Sequence, residues 1–253
     1  MAKQQGILPI SGRVGNFRFF KGRNGNYHVS QHSTSLNKAR LLTDENFERT
    51  RENMSEFATV AKAAKLLREA TLKLVANVSN SDMSLRLRSL LFKVIKTDTT
   101  HPRGSRIVGD GDLNMLTGFE FGKPGTFKSS FSGQYSSVVD RPNGDVTLSI
   151  PAFTPKLEVK APQTATHIQF HAGILELNFE TGMNKLEIVS GNKIPWDNNE
   201  VAQIDLRASV APGTTNPVVI LAGIEYWLET NGQYYQIKDQ GYNSAIVAAV
   251  SQV

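Results

Sequence analysis

The spacing of hydrophobic and polar residues changes twice along the chain and divides it into three segments. In residues 12–32, aromatic and basic residues surround a turn-forming Asn24-Gly25 pair. In residues 44–95, apolar residues recur every three or four positions, which is typical of amphipathic helices. From about Leu113, short apolar runs alternate with Gly and Pro, which favours antiparallel strands. The sequence predicts an α+β fold with an N-terminal β-hairpin, an antiparallel helix pair and a C-terminal antiparallel β-sandwich.

The N-terminal segment is predicted to be a single hairpin. Residues Gly12–Lys21 form its first strand, residues 22–26 its turn, and residues Tyr27–His32 its return strand. An isolated hairpin is marginally stable in water. We therefore expect it to pack either on the rest of its own chain or on a neighbouring molecule, and the sequence leaves both alternatives open.

The second segment is predicted to contain two helices. The first begins at a cap on Thr43 or Asp44 and runs to about Val75, and the second begins at Ser81 or Asp82 and ends before His101. The predicted apolar stripe of the first helix consists of Phe47, Met54, Phe57, Val60, Ala61, Ala64, Leu67, Thr71 and Leu74.

The third segment is predicted to be rich in strands. The candidate strands are Met115–Phe121, Val146–Ile150, Thr166–His171, Ile174–Phe179, Lys185–Val189, Ala202–Val210, Val218–Glu229, Tyr234–Lys238 and Ala245–Val250. Because residues 101–111 are rich in Gly and Pro, we expect a domain joint there. The predicted domains are residues 1–108, a basic hairpin with helices, and residues 109–253, a β-sandwich.

Charge is distributed unevenly along the chain, which carries +5 in total. Residues 1–100 hold seventeen Lys and Arg against eight Asp and Glu, and residues 101–253 hold eleven against fifteen. A molecule with a basic end and an acidic end can attract copies of itself head to tail or place its basic end on a polyanion. The predicted contact residues for either partner are Arg13, Arg18, Phe19, Phe20, Lys21, Arg23 and Tyr27.

A second set of candidate residues lies near the C-terminus. Period-two alternation places Trp227 on the opposite strand face from Tyr226, so we expect it to be exposed near Tyr234 or Tyr235. Exposed aromatic side chains of this kind serve either an interface between protomers or a surface on which sugar rings stack. The interface is the favoured interpretation.

Motifs for catalysis and metal binding are weak. Cysteine is absent, which excludes disulfides, thiolate metal sites and cysteine catalysis. The pairs His28/His32 and His167/His171 lie in strand-like sequence, where a four-residue step separates the side chains by about 13 Å. The segment Asp110–Asn114 resembles a calcium loop but lacks its glycine and glutamate. The sequence predicts no enzyme, no cofactor and no metal.

Neither a secretory signal nor a membrane span is expected. The start of the chain has only a short apolar stretch, and the longest apolar run, residues 218–224, is far below the roughly 20 residues needed to span a bilayer. We expect synthesis in the cytosol, with a virion or an extracellular assembly reached without a conventional signal peptide as alternatives for the final location.

Three sequence blocks resemble an uncharacterised family of small bacterial and phage-associated proteins. They are GRVGNFRFFK at Gly12–Lys21; FERTRENMSEF at Phe47–Phe57 with AKAAKLLR at Ala61–Arg68; and a tail with GIEY at Gly223–Tyr226, Asn231-Gly232, and YNSA at Tyr242–Ala245. The resemblance implies the hairpin, the helix pair and the C-terminal β-sandwich, and structural or accessory proteins rather than enzymes.

The predicted function is therefore a non-enzymatic structural protein that self-assembles, as a filament or as a component of a larger particle. Donation of the N-terminal hairpin to the sheet edge of a neighbouring copy is the mechanism we expect, since an added strand satisfies free backbone groups. The alternative is a nucleic-acid-binding module that uses the basic N-terminal half.

Overall fold

The computed structural model describes residues 2–3, 10–22, 24–31, 38–78, 82–123, 125–239 and 241–252. It confirms a mixed α+β fold whose C-terminal part is built from antiparallel strands. The chain divides into two compact units, residues 1–51 and residues 52–253. This division lies earlier than the predicted boundary after Val108, because Val108 belongs to a core that the helices share with the C-terminal sheet.

The first unit contains a four-stranded antiparallel sheet in the order β1-β4-β3-β2. Its elements are β1 (Ala2–Lys3), β2 (Gly12–Val14), β3 (Phe17–Lys21), β4 (Tyr27–Gln31), α1 (Lys38–Thr43), a 3-10 turn (Glu45–Phe47) and the beginning of α2 (Glu48–Thr71). The side chain of Asp44 caps the 3-10 turn by accepting a hydrogen bond from the amide of Asn46 at 2.9 Å. The predicted cap on Asp44 is therefore present, although a 3-10 turn separates it from α2.

The hairpin between β3 and β4 agrees with the sequence prediction. Its turn contains Gly25 at φ +79°, a left-handed conformation that glycine adopts at little cost. The predicted first strand, however, is interrupted, because Gly15 at φ +56° reverses the chain between β2 and β3. Gly12–Lys21 is thus a second hairpin rather than one strand.

The second unit contains two sheets. Its strands are β5 (Ser136–Asp140), β6 (Asp145–Ile150), β7 (His167–Leu177), β8 (Asn184–Ser190), β9 (Ile194–Pro195), β10 (Ile204–Ser209), β11 (Val218–Thr230), β12 (Gln233–Ile237) and β13 (Ser244–Ser251). Strands β10-β6-β5 form one sheet. The other six form a sheet centred on β7 and β11, with β8 and β9 along the outer edge of β7 and with β12 and β13 along that of β11.

The six-stranded sheet is the middle layer of the second unit. Even-numbered residues of β7 and β11, such as Phe170 and Ile220, join the three-stranded sheet in one hydrophobic core. Odd-numbered residues, such as Leu175 and Leu221, join the helices in a second core. Because both faces are covered, β7 is apolar on both sides and buried along almost its whole length.

Two antiparallel helices, α2 and α3 (Met83–Val94), cover the odd-numbered face. Phe57 of α2 lies beside Phe92 of α3, and Arg68 lies across a groove from Ser84, so the two helices run in opposite directions. The helix pair is thus present as predicted. Short helices α4 (Phe127–Ser130) and α5 (Pro155–Glu158) and 3-10 turns at Ile95–Thr97 and Leu113–Leu116 complete the second unit.

Several predicted elements differ from the structure. The helical stripe begins later than predicted, since Met54 and Phe57 are exposed and Glu56 takes the buried position. The predicted strand Met115–Phe121 is wrong, because a 3-10 turn occupies its start and Gly118 at φ +83° bends it. The two predicted strands on either side of Gly173 are one strand. A side chain at Gly173 would crowd the tip of the Leu74 side chain, so the glycine leaves room for the turn after α2 to pack against the sheet.

Candidate functional site

The N-terminal sheet has an apolar face. Side chains alternate across each strand, and the register Val14↔Phe17 and Phe19↔Val29 aligns four of these side chains on one side of β2, β3 and β4. Lys21 and Tyr27 form the next pair on that side, with the Lys21 ammonium 5.7 Å from the tyrosine ring centroid. We call Val14, Phe17, Phe19, Tyr27 and Val29 the apolar face.

The opposite side of the same sheet is basic. Arg13 pairs with Arg18 across β2 and β3, and the Arg18 guanidinium lies 5.8 Å from the ring centroid of Phe20. Phe20 in turn stacks on His28 at 5.6 Å. We call Arg13, Arg18, Phe20 and His28 the basic face.

The structure thus separates residues that the sequence prediction grouped as one site. Phe19, Lys21 and Tyr27 lie on the apolar side, whereas Arg13, Arg18 and Phe20 lie on the basic side. Arg23, the seventh predicted contact residue, lies outside the described residues, as does His32. One surface therefore presents two arginines, and the other presents mainly hydrocarbon, with Lys21 at one end.

The N-terminal sheet does not bury its apolar face. Among the described residues 10–51, no residue is fully buried, and Val14 and Phe17 are 60% and 49% exposed. By contrast, the second unit buries more than forty hydrophobic residues in its two cores. A sheet normally becomes stable when one face is covered, so the apolar face is a candidate contact surface.

The C-terminal aromatic residues are only partly where the sequence predicts them. Trp227 is half-buried rather than exposed, and Lys193 lies over its ring at 4.2 Å. Tyr234 is exposed on the same sheet face, 5.0 Å from the same Lys193 ammonium. Tyr235 is exposed on the opposite face, because β12 pairs it with Leu228.

Sequence reasoning missed two histidine–glutamate pairs beside Trp227. On β7 and β11, His171 Nε2 lies 3.2 Å from Glu225 Oε2, and His167 Nε2 lies 3.7 Å from Glu229 Oε2. Burial raises the pKa of Glu225, but contacts with His171, Asn77 and Gln236 outweigh it and hold that pKa below its ordinary value. The pairs depend on the register between two distant strands, which no local spacing reveals.

An acidic cluster with one histidine lies in the loop after α3. The buried Asp98 accepts hydrogen bonds from the amides of Thr100, His101 and Ile107, and its Oδ2 lies 3.0 Å from Nδ1 of His101. Burial raises the pKa of Asp98, but these hydrogen bonds lower it overall to about 2. Asp110 lies 3.4 Å from the same Nδ1.

The cluster borders an open cleft of about 460 Å³, whose wall contains Asp110 and Thr100. One ligand atom from each of the three side chains lies within 4.8 Å of the other two, a spacing at which they could hold a cation, but the Asp98 carboxylate already accepts three backbone amides. The arrangement fits an aspartate that organises its own loop.

Comparisons with known proteins found no match to this chain. No protein-family model matches it, and neither a curated protein nor a solved structure does. Within the described residues, no helix is long and apolar enough to cross a membrane.

Proposed function

We propose that the protein is a non-enzymatic structural protein that assembles with copies of itself through its N-terminal sheet. The observation that carries this proposal is the apolar face, whose residues Val14 and Phe17 are about half or more exposed on a sheet without a fully buried residue in its described part. Covering such a face by a second protein surface removes hydrocarbon from water and stabilises the sheet.

The chemistry of the face favours a protein partner. Its aromatic and branched side chains match the residues that are enriched at the centre of protein interfaces. Lys21 lies at one end of this face with its ammonium over the Tyr27 ring, but the exposed side chains of Val14 and Phe17 offer a phosphate group no hydrogen bond. A second copy of the chain is the partner we infer. Residues 1–51 carry nine Lys and Arg against three Asp and Glu, and residues 101–253 carry eleven against fifteen, so the basic first unit of one copy can be attracted to the acidic C-terminal part of another.

Strand pairing would extend the contact. In the described part of the N-terminal sheet, β2 is the last strand, and its outer backbone groups have no strand beside them. A strand from a neighbouring copy can pair along this edge, and a contact that does not close on itself produces a filament. A filament or larger particle agrees with the accessory role that the family resemblance implies, in a virion or in an extracellular assembly.

The basic face keeps nucleic-acid binding as the second candidate. Arg18 above Phe20 and beside His28 combines charge with rings on which bases can stack. The two functions use opposite sides of one sheet, so they can be tested separately.

The test compares two double variants of the full chain. Val14→Ser with Phe17→Ser alters the apolar face, and Arg13→Ser with Arg18→Ser alters the basic face. We expect light scattering to show multiples of 27.9 kDa for the wild type and the basic-face variant, and a monomer for the apolar-face variant. All four positions are exposed, so both proteins should remain folded.

The results that contradict the proposal are equally specific. A monomeric wild type at every concentration, checked by negative-stain microscopy, would exclude self-assembly. Salt-sensitive binding of DNA or RNA that the basic-face variant loses and the apolar-face variant keeps would assign the sheet to the second candidate. Removal of residues 1–32, which the proposal expects to leave a folded monomer, provides an independent check.

A further inference from the structure

The odd-numbered face of the six-stranded sheet is exposed at one end, at Glu229 and Tyr234, and a small pocket lies where the turn after α2 meets that face. Its volume is about 200 Å³. Residues from the turn, from β7, β8 and β11 and from the start of β13 form its wall: Lys73, Leu74, Val78, His171, Ile188, Ser190, Gly223, Ile224, Glu225, Asn243 and Ser244.

Two buried polar atoms of the pocket's wall have no hydrogen-bond partner. They are Oδ1 of Asn243 and Oγ of Ser244. Nε2 of His171, also in the wall, lies 3.2 Å from the Glu225 carboxylate. A third, Nε1 of Trp227, belongs to the same sheet face, two residues beyond Glu225. Buried polar groups in folded proteins are nearly always paired, so such atoms gathered along one surface indicate a bound partner.

The polar side chains around the pocket are held in place. Glu225 accepts hydrogen bonds from Asn77 at 3.1 Å and from Gln236 at 2.6 Å, one on each carboxylate oxygen. Ser190 Oγ lies 2.8 Å from Nδ1 of His171, directly across the β7–β8 register. Asn243 is anchored through its Nδ2, which donates to the carbonyl of Ile237 at 2.9 Å. Few side chains would therefore lose conformational freedom when a ligand binds, and this small entropic cost favours affinity.

The wall calls for a ligand with mixed hydrogen-bonding character. Asn243 Oδ1 needs a donor and Ser244 Oγ can donate or accept, whereas Trp227 Nε1, beside the pocket on β11, can only donate and needs an acceptor. The wall contains the cation of Lys73 as well as the carboxylate of Glu225, so neither a strong anion nor a strong cation is selected. Leu74, Val78 and Ile188 add a hydrocarbon side to the pocket.

Sugar rings meet these requirements. Each hydroxyl group donates and accepts, and the C–H face of the ring is apolar. A pocket of about 200 Å³ is smaller than the usual 300–1,000 Å³ of drug-sized ligands and suits a single ring. We propose that the pocket binds one sugar residue of a neutral glycan, with the adjoining residue directed along β11 toward Trp227 and Tyr234.

The proposal is independent of self-assembly, because it concerns only the second unit. Its first test uses the full chain with Trp196→Phe, which leaves Trp227 as the only tryptophan. Glucose, galactose, mannose and N-acetylglucosamine are each titrated to 100 mM, with Trp227 fluorescence and amide NMR shifts as readouts. We expect at least one sugar to saturate with a dissociation constant of about 1–10 mM and to shift the amide of Asn243.

Variants then locate the binding site. His171→Gln removes a wall side chain, and Ile188→Phe fills the pocket from a position that is 37% exposed. Each should weaken sugar binding at least tenfold. Leu85→Phe is the matched control, since Leu85 is exposed on α3 and does not line the pocket. It should leave binding unchanged.

Three results would overturn the proposal. The first is that none of the four sugars saturates by 100 mM. The second is that binding survives both His171→Gln and Ile188→Phe, with the fold verified by circular dichroism. The third is saturable binding of inorganic phosphate at Asn243 in place of any sugar, which would assign the pocket to an anion.

Discussion

The N-terminal sheet and the six-stranded sheet follow the same rule of alternation but differ in how much of their surface is buried. In the N-terminal sheet, most apolar residues lie on one face and Arg13 and Arg18 lie on the other, and neither face is fully buried in the described residues. In the six-stranded sheet, both faces are apolar near the centre and both are covered, one by helices and one by a second sheet. Burial therefore depends on what covers a sheet as much as on the strands that compose it.

The difference has a functional meaning. A sheet that is covered on both sides stabilises the fold by its own contacts and leaves only its ends available for binding. A sheet with an exposed apolar face gains stability when a partner covers it. The sheet that contributes least to the core is thus the better candidate for assembly, and the uncovered end of the other is the better candidate for a small ligand.

The largest expected effect is on the free energy of unfolding, and it comes from replacing one phenylalanine in each sheet. Phe170 is 1% exposed and contacts Phe131 and Phe153, with ring centroids at 5.0 and 5.7 Å. We expect Phe170→Ala to lower the free energy of unfolding by about 3–5 kcal/mol, because it leaves a cavity. Phe17→Ala should change it by less than about 0.5 kcal/mol.

Urea unfolding of dilute, monomeric protein measures both changes. Equal losses for the two variants would show that the apolar face is already covered within the monomer, and the comparison between the sheets would fail.

Much of this contrast can be predicted from the sequence. The Asn24-Gly25 turn and the strongly apolar strand at Val218 carry local signals, and both elements are present. The division of the aromatic and basic residues between two faces also follows from alternation, once Gly15 is recognised as a turn. Grouping Arg18 and Phe19 in one contact site ignored this alternation, which is a property of neighbouring residues in any strand.

Other features depend on distant parts of the chain. Glu56 is buried because it accepts a hydrogen bond from the amide of Gly104 at 3.0 Å and lies 3.7 Å from Arg106, about fifty residues away. The pairing of His171 with Glu225 requires the register of β7 on β11. A local pattern contains no information about such partners, so the pocket could be found only from the structure.

The second prediction contrasts two aspartates whose pKa values are both lowered. Asp98 is buried and has a pKa of about 2, whereas Asp44 is lowered mainly by the hydrogen bond from Arg40, with further help from Asn46. A carboxyl group whose pKa is lowered on folding contributes stability above its unfolded pKa of 3.8 and loses that contribution as the pH falls through about 2. Asp98→Asn should therefore cost about 2 kcal/mol at pH 7.

The pH dependence distinguishes this mechanism from simple loss of packing. We expect the difference in free energy of unfolding between the wild type and Asp98→Asn, measured at pH 7, 4 and 2, to shrink only below about pH 4. A gap that stays constant down to pH 2 would rule out ionisation as its source. Asp44→Asn, in the first unit, should change the unfolding of the second unit little at any pH.

The third prediction contrasts two glycines in left-handed turns. Gly25 has φ +79° with no atom within 4 Å of an added Cβ, whereas Gly144 has φ +80° and would place that Cβ 2.5 Å from the carbonyl oxygen of Val210. Gly25→Ala should cost about 1 kcal/mol of local backbone strain, and Gly144→Ala about 3 kcal/mol, because the collision adds to the strain.

Hydrogen exchange can follow the two glycine variants separately. Gly25→Ala should speed amide exchange at Tyr27–Gln31, and Gly144→Ala should lower the urea concentration at the unfolding midpoint. If Gly144→Ala were as mild as Gly25→Ala, the β5–β6 turn would not be tightly packed against residue 210.

The smallest expected effect on stability comes from replacing two cations that lie over aromatic rings. Lys193 is partly buried and contacts both Trp227 at 4.2 Å and Tyr234 at 5.0 Å, whereas Arg18 is exposed and lies 5.8 Å from Phe20. Partial desolvation strengthens a cation–π contact, so Lys193→Gln should cost about 0.5–1 kcal/mol and Arg18→Gln should cost nothing measurable. Urea midpoints measured in triplicate resolve this difference, and Trp227 fluorescence reports whether the ring has moved. An equal cost at Arg18 would mean that the basic face is shielded from water, and the partner would then have to be sought on that side of the sheet.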